Sequence, residues 1–176
     1  DYTKKKNNGL QLIWITPLRA LAKDIQRAME EVITDLGIQW KVGSRNGDTP
    51  ISERQKQKRQ MPEVLIITPE SMHLLLAQKG YEELFCSLKI IAVDEWHELL
   101  GSKRGVQVEL AISRIVGLRQ NNNEQGLSIW GISATIGNLE QAREVLLSPL
   151  KLLDKNVEGE LVRAEIDKRI HIESVF

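Results

Sequence analysis

The sequence predicts an α/β domain: a mostly parallel sheet with helices on both faces. Three observations carry that reading. Short apolar runs at 10–15, 64–67, 89–93 and 127–132 are rich in β-branched residues and nearly continuous, as strands buried on both faces must be. Stretches of helical period separate them, and strand–helix alternation implies right-handed crossovers between parallel neighbours. Each run also ends in polar residues, and open α/β sheets bind ligands at the C-terminal edge of their strands.

The elements follow in order. After the run at 10–15, Thr16-Pro17 opens a helix with apolar positions Leu18, Leu21, Ala22, Ile25, Met29, Val32, Ile33 and Leu36, and Gly37 supplies the stop. Ile38, Trp40 and Val42 alternate with polar residues and predict a strand with one covered face. Residues 51–60 are polar and basic (Arg54, Lys56, Lys58, Arg59) and predict a solvated helix. The strand at 64–67 passes through Thr68-Pro69 into a helix ending near residue 78, with Gly80 beyond. The run at 89–93 delivers Asp94 and Glu95 at its tip. Val108, Ile112 and Ile115 mark a helix over 106–118, a polar loop follows at 120–126, and the last strand precedes a helix over 138–147. Beyond Pro149 the pattern weakens, and 170–176 reads as a strand leaving the domain. Trp14 and Trp130 fall inside strands and are expected in the core. Trp96 is expected either beneath the acidic motif or against a neighbouring domain.

Composition bounds the function. A chain of 176 residues, 41% hydrophobic and 27% charged, suits one ordinary globular core. Its 24 basic and 24 acidic residues cancel, so affinity for nucleic acid must come from local arrangement. The lone Cys86 excludes a disulfide framework, suits a reducing, cytoplasmic setting, and is expected to be packed. No apolar run approaches the roughly 20 residues needed to span a bilayer, and the run behind Lys4-Lys5-Lys6 is too short for a signal peptide.

Two groups of residues carry chemistry. Asp94 and Glu95 at a strand tip are placed to hold Mg²⁺ and to activate a water, as in phosphoryl transfer. In the Thr-Pro pairs, Thr caps the helix and Pro takes the first helical position. The free amides and helix dipole behind them would make two anion sites for spaced phosphates, with Arg19 adding a contact. The plainer reading is two well-capped helices. His97-Glu98 begins the zinc-protease pattern H-E-x-x-H, but residue 101 is Gly, and His73, His97, His171 and Cys86 have no zinc-site spacing.

Four polar strand ends in this order, with Asp94-Glu95-Trp96-His97 and Ser133-Ala134-Thr135, resemble the first RecA-like motor domain of superfamily 2 helicases of the D-E-x-H type. Pro17-Leu18-Arg19-Ala20-Leu21, Gly47-Asp48-Thr49-Pro50 through Glu53-Arg54, Thr68-Pro69-Glu70-Ser71 and Gly101-Ser102-Lys103-Arg104-Gly105 look like the Lhr family. Trp96 followed by Glu98-Leu99-Leu100 looks most like its ligase-associated DNA damage response branch. The resemblance covers residues 10–147. It implies an ATP-dependent DNA helicase or translocase, with ATP and Mg²⁺ as cofactors and DNA repair as its setting. Partners implied are single-stranded or partly duplex DNA and, through the branch, a DNA ligase and nuclease. It gives Asp94, Glu95 and His97 catalytic roles, with Asp94 and Glu95 at the metal, held through water. Ser133, Ala134 and Thr135 would couple hydrolysis to movement. Thr16, Pro17, Arg19, Gly47, Asp48, Thr49, Thr68, Pro69, Glu70 and Ser71 would contact nucleic acid. For Lys103-Arg104 it supplies no chemical role beyond electrostatics.

The phosphate loop G-x-x-x-x-G-K-[ST] does not occur in these 176 residues, where no Gly precedes a Lys. The expectation is therefore a partial motor domain over 1–150, with 151–176 leading toward a second motor domain, and with the first strand and its loop upstream. A non-catalytic nucleic-acid-binding scaffold and an unrelated metal-dependent hydrolase are the other readings.

Overall fold

The computed structural model describes residues 8–121, 126–134, 137–152, 154–155 and 157–163. Its centre is a five-stranded, wholly parallel sheet in the order β2-β3-β1-β4-β5. The strands are β1 (Leu12–Ile15), β2 (Val42–Arg45), β3 (Val64–Ile67), β4 (Ile90–Val93) and β5 (Ser128–Gly131). The helices are α1 (Ala22–Asp35), α2 (Ile51–Arg59), α3 (Pro69–Leu76), α4 (Trp96–Leu99), α5 (Lys103–Asn121) and α6 (Leu139–Leu147). Short 3₁₀ turns occupy Arg19–Leu21, Glu82–Phe85 and Ser148–Leu152. The α/β expectation holds, with parallel strands linked by helical crossovers.

The sheet interior follows from the near-continuous runs. All four residues of β3 are buried, and β1 lies between β3 and β4, paired in register with both. Ile13, Ile15, Leu65, Ile67, Ile91 and Val93 join one apolar cluster with Met72 and Leu75 of α3 and Val108, Ile112 and Ile115 of α5. Among the described residues no helix is long and apolar enough to cross a membrane.

Several expectations are corrected. The strand expected through Ile38, Trp40 and Val42 begins only at Val42. Gly37 takes a left-handed φ of +64°, and the Ile38 amide is used in closing α1 on Ile33 O, 2.9 Å away. Farther on, the Lys41 amide bonds the buried Glu63 carboxylate instead of a strand partner (2.9 Å). The helix expected from Pro17 starts as a 3₁₀ turn, and α1 proper begins at Ala22, the only fully buried residue of its stripe. Trp130, expected in the core, is half exposed on β5 at the end of the strand order. Trp14 is only partly buried, and Cys86 is exposed at the end of a 3₁₀ turn. The helix at 103–121 is longer than its apolar stripe, with Lys103, Arg104, Arg119 and Gln120 extending it at either end. The strand expected at 170–176 lies outside the described residues.

Candidate functional site

In-register parallel pairing lines up the strand ends. Arg45, Ile67, Ile15, Val93 and Gly131 form one row across the sheet. The residues after them, among them Thr68, Thr16, Asp94 and Ile132, therefore emerge side by side, tied by Thr68 N to Arg45 O (3.3 Å), Thr16 N to Ile67 O (3.0 Å), Asp94 N to Ile15 O (2.8 Å) and Ile132 N to Val93 O (2.9 Å). Motifs far apart in sequence become one continuous edge.

The acids sit on a sharp turn. Glu95 has φ +48°, the only positive φ among the described non-glycine residues, a conformation that persists only where its surroundings enforce it. Here Asp94 Oδ1 accepts the Glu95 amide (3.1 Å), and the Trp96 amide donates to Ile132 O on the neighbouring strand end (3.0 Å). The turn swings α4 across the edge and brings three groups together. His97 Nδ1 lies 3.3 Å from Glu95 Oε2 and 2.9 Å from Ser133 Oγ. Trp14 Nε1 donates to Asp94 Oδ2 at 3.4 Å, so Asp94 is oriented from both sides yet keeps lone pairs on each oxygen. Ala134 is exposed beyond Ser133, and Thr135 lies outside the described residues.

Trp96 resolves toward packing. Its indole is 2% exposed, and Nε1 donates to Ala142 O of α6 at 2.9 Å. A Cβ on Gly131 would stand 2.6 Å from Leu146 Cδ2 and 3.7 Å from Trp96 Cδ1, so that glycine lets α4, β5 and α6 close around the indole.

The two Thr-Pro pairs behave differently. Thr68 caps α3, accepting from Ser71 N (3.4 Å) and bonding Ser71 Oγ (3.2 Å), with Pro69 at the first helical position. Thr16 instead accepts from Leu18 N at 3.4 Å, in a turn that does not become a helix directly. Both threonines are buried, so their hydroxyls serve the fold and not the surface. The open groups are farther along. Arg19 lies over Gly47, where a Cβ would be 3.0 Å from Nη1, and its guanidinium stands 3.9 Å from Asp48 Oδ1. Arg19, Gly47 and Asp48 thus form one exposed cluster beside the edge, with Thr49 half-buried behind them, its hydroxyl accepting the Asn46 amide (2.9 Å).

Sequence reasoning missed two arginines here. Arg54 holds the 46–49 loop, donating to Thr49 O (3.0 Å), Asn46 O (2.9 Å) and Gly47 O (3.2 Å). Its place in the quoted motif was the available signal. Arg45 is 6% exposed, with Nη1 buried and without a hydrogen-bond partner. Burial and the neighbouring Arg54 hold its guanidinium below the usual arginine range. Nothing in its local sequence marks it. Glu70 is engaged by Arg104, whose Nε and Nη2 reach its two oxygens at 2.7 and 3.3 Å.

Among the described residues no three His, Cys, Asp or Glu side chains cluster as metal ligands. The donor set at the edge is one oriented carboxylate with a second beside it. That suits an ion such as Mg²⁺, which keeps most of its waters and takes one or two carboxylates.

Comparison with known proteins agrees with the fold. The sequence model of the DEAD/DEAH box helicase family matches residues 1–143. The chain is 32% identical to the Lhr helicase/uracil glycosylase of Escherichia coli, covering 74% of this chain and 9% of that protein. It is 34% identical to the ATP-dependent helicase Lhr-Core of Sulfolobus acidocaldarius, covering 83% of this chain and 17% of the relative. Among solved structures, it superposes on Mycobacterium smegmatis helicase Lhr bound to ssDNA and AMP-PNP with a TM-score of 0.71 at 30% identity, over 82% of this chain and 19% of that one. The helicase MrfA bound to DNA and AMPPNP gives 0.67 at 27% identity, over 79% and 19%. The chain therefore spans less than a fifth of these relatives.

Proposed function

The chain belongs to the DEAD/DEAH box helicase family, and from that premise we propose that it forms part of the first motor domain of an ATP-dependent DNA helicase or translocase of the Lhr kind. Residues 1–150 form part of that motor domain and 151–176 the path toward a second one. Trp96 and the residues after it favour the branch that works in DNA repair beside a ligase and a nuclease. The observation that carries the reading is the position of His97 between Glu95 and Ser133, at 3.3 and 2.9 Å. One imidazole there touches both the acid at the nucleotide side and the end of the next strand.

In this mechanism Asp94, with Glu95 beside it, would hold Mg²⁺, which would supply positive charge to offset that on the phosphate oxygens. Glu95 orients the attacking water and accepts its proton on a carboxylate oxygen. His97 senses Glu95 and passes the change to Ser133, and so to the residues after β5. Arg19 and the 46–49 loop, with the α3 N-terminus, take the strand backbone. Such contacts read phosphates and not bases, so no sequence preference is expected.

Ser133→Ala, in a polypeptide that joins these residues to a phosphate loop and a second motor domain, tests the relay. Nucleotide is expected to change single-stranded DNA affinity by roughly 5–150-fold in the parent, the usual range of coupling between sites. In the variant that factor should fall toward one while each ligand alone binds within about threefold of normal. Equal coupling in both proteins would remove Ser133 from the mechanism.

The grip has its own test. Arg19→Ala should weaken single-stranded DNA binding alike for all base compositions. Because it removes a single phosphate neighbour, it should also flatten the salt dependence of log K by about 0.7. An unchanged slope with loss confined to one base composition would indicate base readout instead.

A further inference from the structure

Arg45 is a cation that the fold buries without a counter-charge. It closes β2 at 6% exposure, and its side chain makes no hydrogen bond or ion pair among the described residues. Nη1 is sealed from solvent with no acceptor in reach. A guanidinium carries a full charge and a fork of N–H donors, so leaving it buried and unpaired is strongly unfavourable unless something arrives to pair with it.

The local fold explains its direction and why no neighbour answers it. Alternate side chains of a strand share a face, so Arg45 lies on the side of Gly43, where a Cβ would meet Pro62 Cγ at 2.9 Å and Gln57 Nε2 at 3.4 Å. Arg45 therefore sits under α2, nearer the sheet edge than Gln57. Gln57 Nε2 donates to Ser44 O (3.0 Å), and its buried, unpartnered Oε1 carries no charge. Arg54, three residues earlier on α2, is close enough to repel Arg45. The carboxylates of the neighbouring segments stand by other cations: Asp48 by Arg19 (3.9 Å), Glu53 by Lys56 (3.6 Å) and Glu70 by Arg104 (2.7 Å).

Three guanidiniums thus converge on one loop. Arg19 lies over Gly47, Arg54 Nη2 donates to Gly47 O (3.2 Å), and Arg45 leads directly into residues 46–49. Asp48 is the one carboxylate of that loop. The Arg45 carbonyl accepts the Thr68 amide (3.3 Å), which places this excess of positive charge in the row that continues through Thr16 to Asp94. An anion arriving along that edge meets an unpaired guanidinium at its end.

We propose that Arg45 is a further nucleic-acid-binding residue, whose guanidinium, unpaired within the protein, takes a backbone phosphate of single-stranded DNA at the end of β2. The proposal rests on the nucleic-acid reading above. The phosphate supplies the missing counter-charge, and the stability forgone by burying Arg45 is recovered only when the strand binds.

The test uses the 176-residue chain and a fluorescein-labelled oligothymidylate, followed by anisotropy over a range of salt concentrations. Arg45→Met keeps a long side chain and removes its charge and donors. It is expected to weaken binding roughly tenfold or more, the scale of a charge-assisted hydrogen bond, and to flatten the salt dependence of log K by about 0.7. It should melt with the parent or about 2–4 °C higher, because a buried unpaired charge has gone. Lys58→Met removes a like charge from the solvated far end of α2 and should bind within about twofold of the parent. Binding by Arg45→Met within about twofold of the parent would overturn the proposal. So would a fall in its melting temperature, since the guanidinium would then serve the fold. A second measurement needs no variant to fold. In the unmutated, isotope-labelled chain the Arg45 Nε–H resonance should move when oligothymidylate is added and stay in place with sodium chloride of equal ionic strength. A resonance indifferent to the oligonucleotide overturns the proposal, as does one moved equally by inorganic phosphate at the same phosphate concentration, which would mark a site for a free anion. Failure of the parent to bind the oligonucleotide at all would instead refute the nucleic-acid reading, and the proposal with it.

Discussion

Replacement of Glu95 by Gln is expected to slow ATP hydrolysis by roughly 10²–10⁴-fold, the usual scale for losing a positioned base, and to leave nucleotide binding near normal. The polypeptide to use joins these residues to a phosphate loop and a second motor domain. Gln keeps the size of the side chain and can still hydrogen-bond His97, which stands 3.3 Å from Glu95 Oε2. It cannot accept the proton of the attacking water. The left-handed backbone at Glu95 depends on Asp94 Oδ1 and on Ile132 O, neither of which the substitution touches. Geometry should therefore survive while the chemistry fails. Single-turnover hydrolysis at saturating nucleotide reads the step directly. A rate within about threefold of the parent would exclude Glu95 as the base.

A second large effect is expected in stability, and it needs only the present chain. Gly105→Ala should destabilise the fold by about 1–3 kcal/mol, the usual cost of forcing an added methyl group into filled space. Helix propensity alone would favour Ala by about 1 kcal/mol, so the sign rests on the contact. The new Cβ would collide with Leu99 O and stand 2.7 Å from Leu99 C, and backbone cannot swing aside as a side-chain tip can. Gly117 in the same helix is the control. A Cβ there meets nothing within 4 Å, so Gly117→Ala should be neutral or stabilising by up to ~1 kcal/mol. Chemical denaturation of both variants measures the contrast. Equal stability would show that α4 and α5 are not held tightly together.

Much of the fold was legible because the signals are local. The runs at β1, β3, β4 and β5 are nearly continuous and short, which leaves few alternatives to buried parallel strands. Polar residues at their ends then fell on one edge as expected. The β2 strand was misplaced because alternation at Ile38, Trp40 and Val42 also fits a connection whose amides are claimed by α1 and Glu63. Trp130 misled because apolar character marks a strand but does not say whether a neighbour covers it.

The two Thr-Pro pairs show the same division within the site. Identical dipeptides carry identical local preferences, yet only Thr68 caps a helix. A cap requires the third amide onward to turn back on the hydroxyl, and after Thr16 the chain first makes a separate turn. Lys103-Arg104 conveyed charge but no partner, since the Glu70 carboxylate lies 34 residues away.

The sequence by itself determined the fold class, most element types and the identity of the acids at the β4 tip, because periodicity and strand-end polarity are properties of neighbouring residues. Tertiary structure alone decided that His97 meets Glu95 and Ser133, that Trp96 is a packing wedge, and that Arg104 pairs with Glu70. Those contacts depend on sheet register and on where glycines permit close approach, and neither is encoded within a single element.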